Sequence, residues 1–183
     1  MDDSKKNRIY LTGFMGSGKS TITPILANTL GFKSIDIDQE IENSTGKKIA
    51  EIFSDLGEEY FREIERSILQ EVSRRDGYVI SLGGGTVADQ SNLSTIKSTG
   101  ILIYLKSTPE QIFKRMRYKT DRPLLRPGID VTVNDEQLQS RIRELLEKRE
   151  PFYNQAEIII STDDRRIGAT VDKIVRSLRI FLK

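Results

Sequence analysis

Residues 13–20, Gly-Phe-Met-Gly-Ser-Gly-Lys-Ser, fit the pattern G-x-x-x-x-G-K-[ST] and follow directly on the apolar run 9–12. A strand, a glycine-rich turn and the start of a helix in that order make a phosphate-binding loop. Gly16 and Gly18 let backbone N–H groups, that of Ser17 among them, crowd around an anion. Lys19 reaches the β- and γ-phosphates, and Ser20 offers a hydroxyl to Mg2+ just where the helix begins with Thr21. A nucleoside triphosphate is the expected ligand; a glycine-rich turn with an incidental lysine is the plain alternative.

Four further groups of residues could serve phosphoryl transfer. Asp36 and Asp38 flank Ile37 at the end of a second apolar run, and strand alternation would send both carboxylates to one side. Asp36 is the expected metal-side acid and Asp38 the acid that orients a hydroxyl and takes its proton, unless both are surface turn acids. Gly83, Gly84 and Gly85 follow a third run and leave no side chain between backbone and ligand, although a flexible turn reads the same way. Arg62 lies beside an apolar helical stripe, either pointing into a site or paired with Glu58 and Glu65 on the helix surface. Arg149, before Glu150 and Pro151, faces the same choice between a site and a helix dipole.

Between residues 114 and 126 the chain carries Lys114, Arg115, Arg117, Lys119, Arg122 and Arg126 around Asp121. Such a segment can close over a triphosphate and supply a guanidinium to the transferring group. An RNA-contacting arm is the rival, but Tyr118 is its one aromatic residue and no basic stripe runs elsewhere.

These residues need a scaffold, and the pattern supplies one. Apolar or β-branched runs at 9–12, 34–37, 78–82, 101–105 and 157–161 alternate with helical periodicity, which predicts a parallel sheet wrapped on both faces with ligands at its carboxyl edge. Phe61, Ile64, Ile68 and Val72 predict one helical stripe. Thr108-Pro109 predicts a helix from Pro109 to about Arg117, and Leu138, Ile142, Leu145 and Leu146 predict another, stopped near Glu150 by Pro151. The third run ends in glycine, not in the aspartate of many ATPase motors, which favours a small-molecule kinase.

The chain has 183 residues, the size of one domain, with no Cys and no His, so a general base must be a carboxylate, a lysine or a tyrosine. Lys plus Arg number 29 against 27 Asp plus Glu, a balance that gives no push toward nucleic acid or a membrane surface. The polar N-terminal residues lack a signal-peptide pattern, no segment has the length of a membrane span, and no long apolar stripe asks for a partner. A soluble, cytoplasmic monomer is expected.

Taken together, GFMGSGKST at 13–21, DID at 36–38, GEEYFREIE at 57–65, SLGGGT at 81–86, DRPLL at 121–125 and KREPFY at 148–153 resemble the shikimate kinases, in the family's order and over nearly the whole chain. The resemblance implies a three-layer α/β fold of nucleoside monophosphate kinase type, with five parallel strands in the order 2-3-1-4-5. It implies a substrate-binding helical region at about 38–70, a mobile lid at about 115–135, and ATP- and Mg2+-dependent phosphorylation of the 3-hydroxyl of shikimate. By the same resemblance Asp38 contacts the shikimate hydroxyls, Arg62 and Arg149 grip its carboxylate, and Gly84, with Gly83 and Gly85 beside it, meets it through the backbone. Ser20 and, through water, Asp36 hold Mg2+, Arg122 is the lid arginine on the phosphates, Arg115 lies near the nucleotide and Arg165 packs on adenine. A kinase for another polyol acid such as gluconate, or a silent nucleotide-binding relative, are the alternatives. The set of Arg62, the triple glycine and Arg149 speaks against the first, and the presence of Lys19, Asp38 and Arg122 against the second.

Overall fold

Aliphatic and β-branched residues fill five short strands of the computed structural model, which describes residues 7–117, 134–163 and 166–181. The strands are β1 (Arg8–Thr12), β2 (Lys33–Asp36), β3 (Tyr78–Ser81), β4 (Ile101–Lys106) and β5 (Ile158–Ser161). All pairs are parallel, in the order β2-β3-β1-β4-β5. Each lies within a residue or so of its predicted run, because a strand covered on both faces reads as an unbroken apolar stretch. Alternation sends Tyr10, Ile80, Leu102 and Tyr104 into one hydrophobic layer and Ile9, Leu11, Val79, Ile101, Ile103 and Leu105 into the other.

The second layer is closed by α1 (Lys19–Leu30) and α8 (Ile167–Leu178), through Ile22, Leu26, Val171, Ile174 and Leu178. The first is closed by α2 (Ile37–Thr45), α4 (Gly57–Val72), α5 (Gln90–Thr99), α6 (Pro109–Met116) and α7 (Asp135–Tyr153), with the short α3 (Ile49–Asp55) packed on α4. Among the described residues no helix is long and apolar enough to cross a membrane. The expected lid lies mostly outside the described residues.

Three expectations need correction. Ile37 is not strand: the chain turns from β2 straight into α2, and Asp36 is the N-cap, its Oδ1 accepting from the amides of Asp38 (3.0 Å) and Gln39 (3.3 Å). Asp36 and Asp38 therefore do not share a strand face, because the capping carboxylate ends the strand earlier than alternation implied. On α4 the buried stripe is Phe61, Glu65, Leu69 and Val72, with Ile64 and Ile68 only partly buried beside it. A carboxylate thus takes a core position that hydrophobic spacing would assign to a neighbour. Finally, α7 runs through Pro151 to Tyr153. A proline there denies one carbonyl its helical donor, but the final turn still closes through Asn154 N–H to Glu150 O at 2.9 Å.

Candidate active site

Every strand ends on the same edge of the sheet, and the loops there meet. The register sets Leu11 beside Ser81 and Thr12 beside Tyr104, so the loop after β1 lies between the loops after β3 and β4. The phosphate loop fits its space only as glycine at key points. At Gly13 (φ 147°) a Cβ would stand 2.6 Å from the Leu105 carbonyl oxygen, and Gly18 (φ 102°) caps α1 in a left-handed conformation. Ser17 is buried, and its Oγ has no hydrogen-bond partner among the described residues. Lys19 Nζ folds back on the carbonyls of Gly13 (2.7 Å) and Phe14 (3.2 Å). A buried orphan hydroxyl and a cation resting on the loop's own carbonyls are what a site for an anion presents, so these residues fit a triphosphate. Thr21 and Ser20 stand exposed in the first turn of α1. The described residues hold no group of three or more acidic, His or Cys ligands, while the Ser20 hydroxyl and the Asp36 carboxylate are oxygen donors of the kind a hard divalent cation takes.

Arg115, on α6, braces this loop from the other side. Its Nη1 donates to the Gly16 carbonyl at 3.1 Å and its Nη2 to the Thr162 carbonyl at 2.8 Å, tying the phosphate loop to the end of β5.

Three side chains predicted from sequence converge on the three glycines after β3. A Cβ on Gly83 would lie 2.9 Å from Asp38 Oδ1, one on Gly84 3.0 Å from Arg149 Nη1, and one on Gly85 2.8 Å from Arg62 Nη2. One acid and two guanidinium groups are thus gathered over bare backbone, beside the phosphate loop, whose Gly13 carbonyl is 3.8 Å from the Gly84 Cβ position. Arg62 pairs with the exposed Glu58 (3.1 Å) and the buried Glu65 (2.7 Å), and its guanidinium lies over Gly85. Arg149 stacks over the Phe14 ring, 5.9 Å from its centre. Arg122 and Arg165 lie outside the described residues.

Such a constellation can bind a small anionic polyol by its carboxylate, offer an acid to one hydroxyl, and set that hydroxyl beside a bound triphosphate. A family model described as shikimate kinase matches residues 15–179. The chain belongs to the shikimate kinase family. The shikimate kinase of Chlorobaculum parvum is 48% identical over 175 residues, which are 96% of this chain and 94% of that protein. The crystal structure of shikimate kinase from Bacteroides thetaiotaomicron superposes with a TM-score of 0.85 at 37% identity, covering 94% of this chain and 98% of that one. Shikimate kinase from Acinetobacter baumannii, in complex with shikimate, gives 0.87 at 35% identity, covering 97% and 96%.

Two residues that touch this candidate site were not legible as such in the sequence. Glu65, 1% exposed, accepts from Thr86 Oγ1 (2.6 Å) as well as from Arg62, and a charged residue four positions after Phe61 on a helix's buried face is the one signal that could have exposed it. Tyr153, fully buried, donates its hydroxyl to the Gly84 carbonyl at 2.6 Å, and the expected helix stop at Pro151 hid it.

Proposed function

We propose that this chain transfers the γ-phosphoryl group of ATP to the 3-hydroxyl of shikimate, giving shikimate 3-phosphate and ADP for aromatic amino acid biosynthesis. The observation that carries this reading is the convergence of Asp38, Arg62 and Arg149 on Gly83, Gly84 and Gly85 beside the phosphate loop. The guanidinium forks of Arg62 and Arg149 bind the acceptor carboxylate, and the glycine backbone lets the ring sit close. Asp38 accepts the hydrogen bond, and then the proton, of the attacking hydroxyl. Lys19 leaves the Gly13 and Phe14 carbonyls to neutralise the transferring phosphoryl group, while the amides of Gly16, Gly18 and Ser20 face the phosphates; those of Ser17 and Thr21 donate to the Phe14 and Gly18 carbonyls, both at 3.1 Å, and leave their hydroxyls for the nucleotide. Arg115 keeps the loop in register next to the nucleotide. Mg2+, when bound, would offset charge on the phosphate oxygens; Ser20 would hold it and Asp36 would support it through water. Arg122 and Arg165 are assigned to the phosphates and to adenine on sequence resemblance alone. A single catalytic domain working as a cytoplasmic monomer completes the proposal.

An ADP-release assay with ATP and Mg2+, run with shikimate, with gluconate and without acceptor, tests it. Turnover with shikimate alone is expected. Turnover with gluconate would remove the carboxylate-site argument, and absence of turnover despite ATP binding would make the chain a silent relative. Asp38→Asn should lower kcat by roughly 10²–10⁴-fold while ATP still binds, the range for a lost general base; loss of ATP binding in that variant would contradict the role.

A further inference from the structure

Arg149 and Tyr153 are one helical turn apart on α7, and their polar ends meet at Gly84. The Tyr153 hydroxyl donates to the Gly84 carbonyl at 2.6 Å, and its oxygen and Arg149 Nη1 lie 3.6 and 3.0 Å from the Cβ position of Gly84. A phenol has one proton, here given to the Gly84 oxygen, and an arginine has donors only, so the phenol oxygen can meet the neighbouring guanidinium only as an acceptor. The Tyr153 ring is fully buried and tilted against Tyr104, centroids 5.0 Å apart, so it has no room to swing. We propose that Tyr153 is a positioning residue that holds the Arg149 guanidinium and the Gly84 peptide in one geometry, and thereby sets the affinity for the carboxylate of the acceptor. This rests on the assignment of Arg149 to that carboxylate.

The geometry explains why a hydroxyl is needed at this place. Across a trans peptide the carbonyl and the following N–H point opposite ways, so holding the Gly84 oxygen on Tyr153 also fixes the direction of the Gly85 N–H. The same hydroxyl stands beside the Arg149 guanidinium, whose other neighbour, the face of Phe14, fixes a plane but not an angle within it. Burial pushes the phenol up to about 12, so the proton stays on Tyr153 at neutral pH, where the acceptor carboxylate is ionised.

The test is Tyr153→Phe, which keeps the ring and removes the link, with Tyr104→Phe as its control. Tyr104 sits in the same aromatic pair, and its buried hydroxyl has no hydrogen-bond partner among the described residues. Tyr153→Phe is expected to raise KM for shikimate roughly five- to thirty-fold, with kcat and KM for ATP within about twofold. Its preference for shikimate over shikimate methyl ester should fall in proportion, because the loss is confined to the carboxylate end. Tyr104→Phe should leave all of these at wild-type values. An unchanged shikimate KM in Tyr153→Phe, or an equal rise in Tyr104→Phe, overturns the inference. Should Tyr153→Phe not fold, Gly84→Ala serves: its Cβ lies 3.0 Å from Arg149 Nη1 and 3.6 Å from the phenol oxygen, and an unchanged shikimate KM there overturns the inference equally. Arg149→Lys separates the two layers of argument. If it too leaves shikimate KM unchanged, the carboxylate assignment falls; if it raises KM while Tyr153→Phe does not, only the positioning role falls.

Discussion

Glu65 shows how much one side chain can be asked to do. It is buried on the core face of α4, its Oε2 pairing with Arg62 at 2.7 Å and its Oε1 accepting from Thr86 Oγ1 at 2.6 Å, 3.0 Å from the Cβ position of Gly83. A carboxylate has two acceptor oxygens and satisfies both donors, whereas an amide of the same shape has one. Glu65→Gln should therefore leave one donor unmatched in a dry place, costing about 1–3 kcal/mol, or a melting temperature lower by roughly 2–10 °C for a chain of this size. Shikimate KM should rise with it, since Arg62 loses its stronger anchor. Calorimetry beside kinetics checks both, and an unaltered melting temperature would mean that Arg62 and Thr86 do not depend on this carboxylate. Sequence spacing named Glu65 only as a surface partner of Arg62, because helical periodicity ranks positions by hydrophobicity and Ile64 outranks its neighbour.

Elements are held to one another by charges at their ends. Asp89 caps α5 through the amides of Ser91 (2.8 Å) and Asn92 (3.0 Å), and its other oxygen pairs with Arg66 of α4 at 3.0 Å. The Asn92 amide first, and then Arg66, hold its carboxyl below the ordinary aspartate value. A folded-state value below the unfolded one, about 3.9, gives a stabilisation complete above that pH and lost as pH falls through the folded value. Asp89→Ala should cost about 1 kcal/mol near neutral pH, and the gap to wild type should narrow below about pH 4. Urea midpoints at both pH values measure it; a gap that stays constant on acidification would show that the ionised cap contributes nothing. Element identity was legible wherever one rule acted alone, as in the five strands, the phosphate loop and the helix after Thr108-Pro109. It failed where two rules competed. At residues 36–38 a cap displaced strand alternation, and at Pro151 the bonds of the last turn outlasted the missing donor.

At the scale of the molecule the two edges of the sheet divide the work. The carboxyl edge carries the phosphate loop, Asp38 and the triple glycine, brought together because β2, β3 and β1 are neighbours. The opposite edge is tied by Arg8, which bonds the carbonyls of Arg75 (3.0 Å) and Thr99 (2.6 Å) and pairs with Asp76 (2.9 Å). Each edge holds a glycine into which a methyl group would intrude, so the division can be measured with one substitution repeated. At Gly100 a Cβ would lie 2.6 Å from the Arg8 carbonyl oxygen, on the backbone of β1, and 2.5 Å from the fully buried Tyr10 ring. Gly100→Ala should cost about 1–3 kcal/mol of stability by overpacking, with kcat and both KM values unchanged at temperatures where it stays folded. At Gly84 the intruding methyl meets the movable end of Arg149, so Gly84→Ala should keep nearly the wild-type melting temperature and lose affinity for shikimate. Melting curves and steady-state kinetics on the two variants decide it: a kinetic defect in Gly100→Ala, or a stability loss without one in Gly84→Ala, would mean that the two edges are not separable.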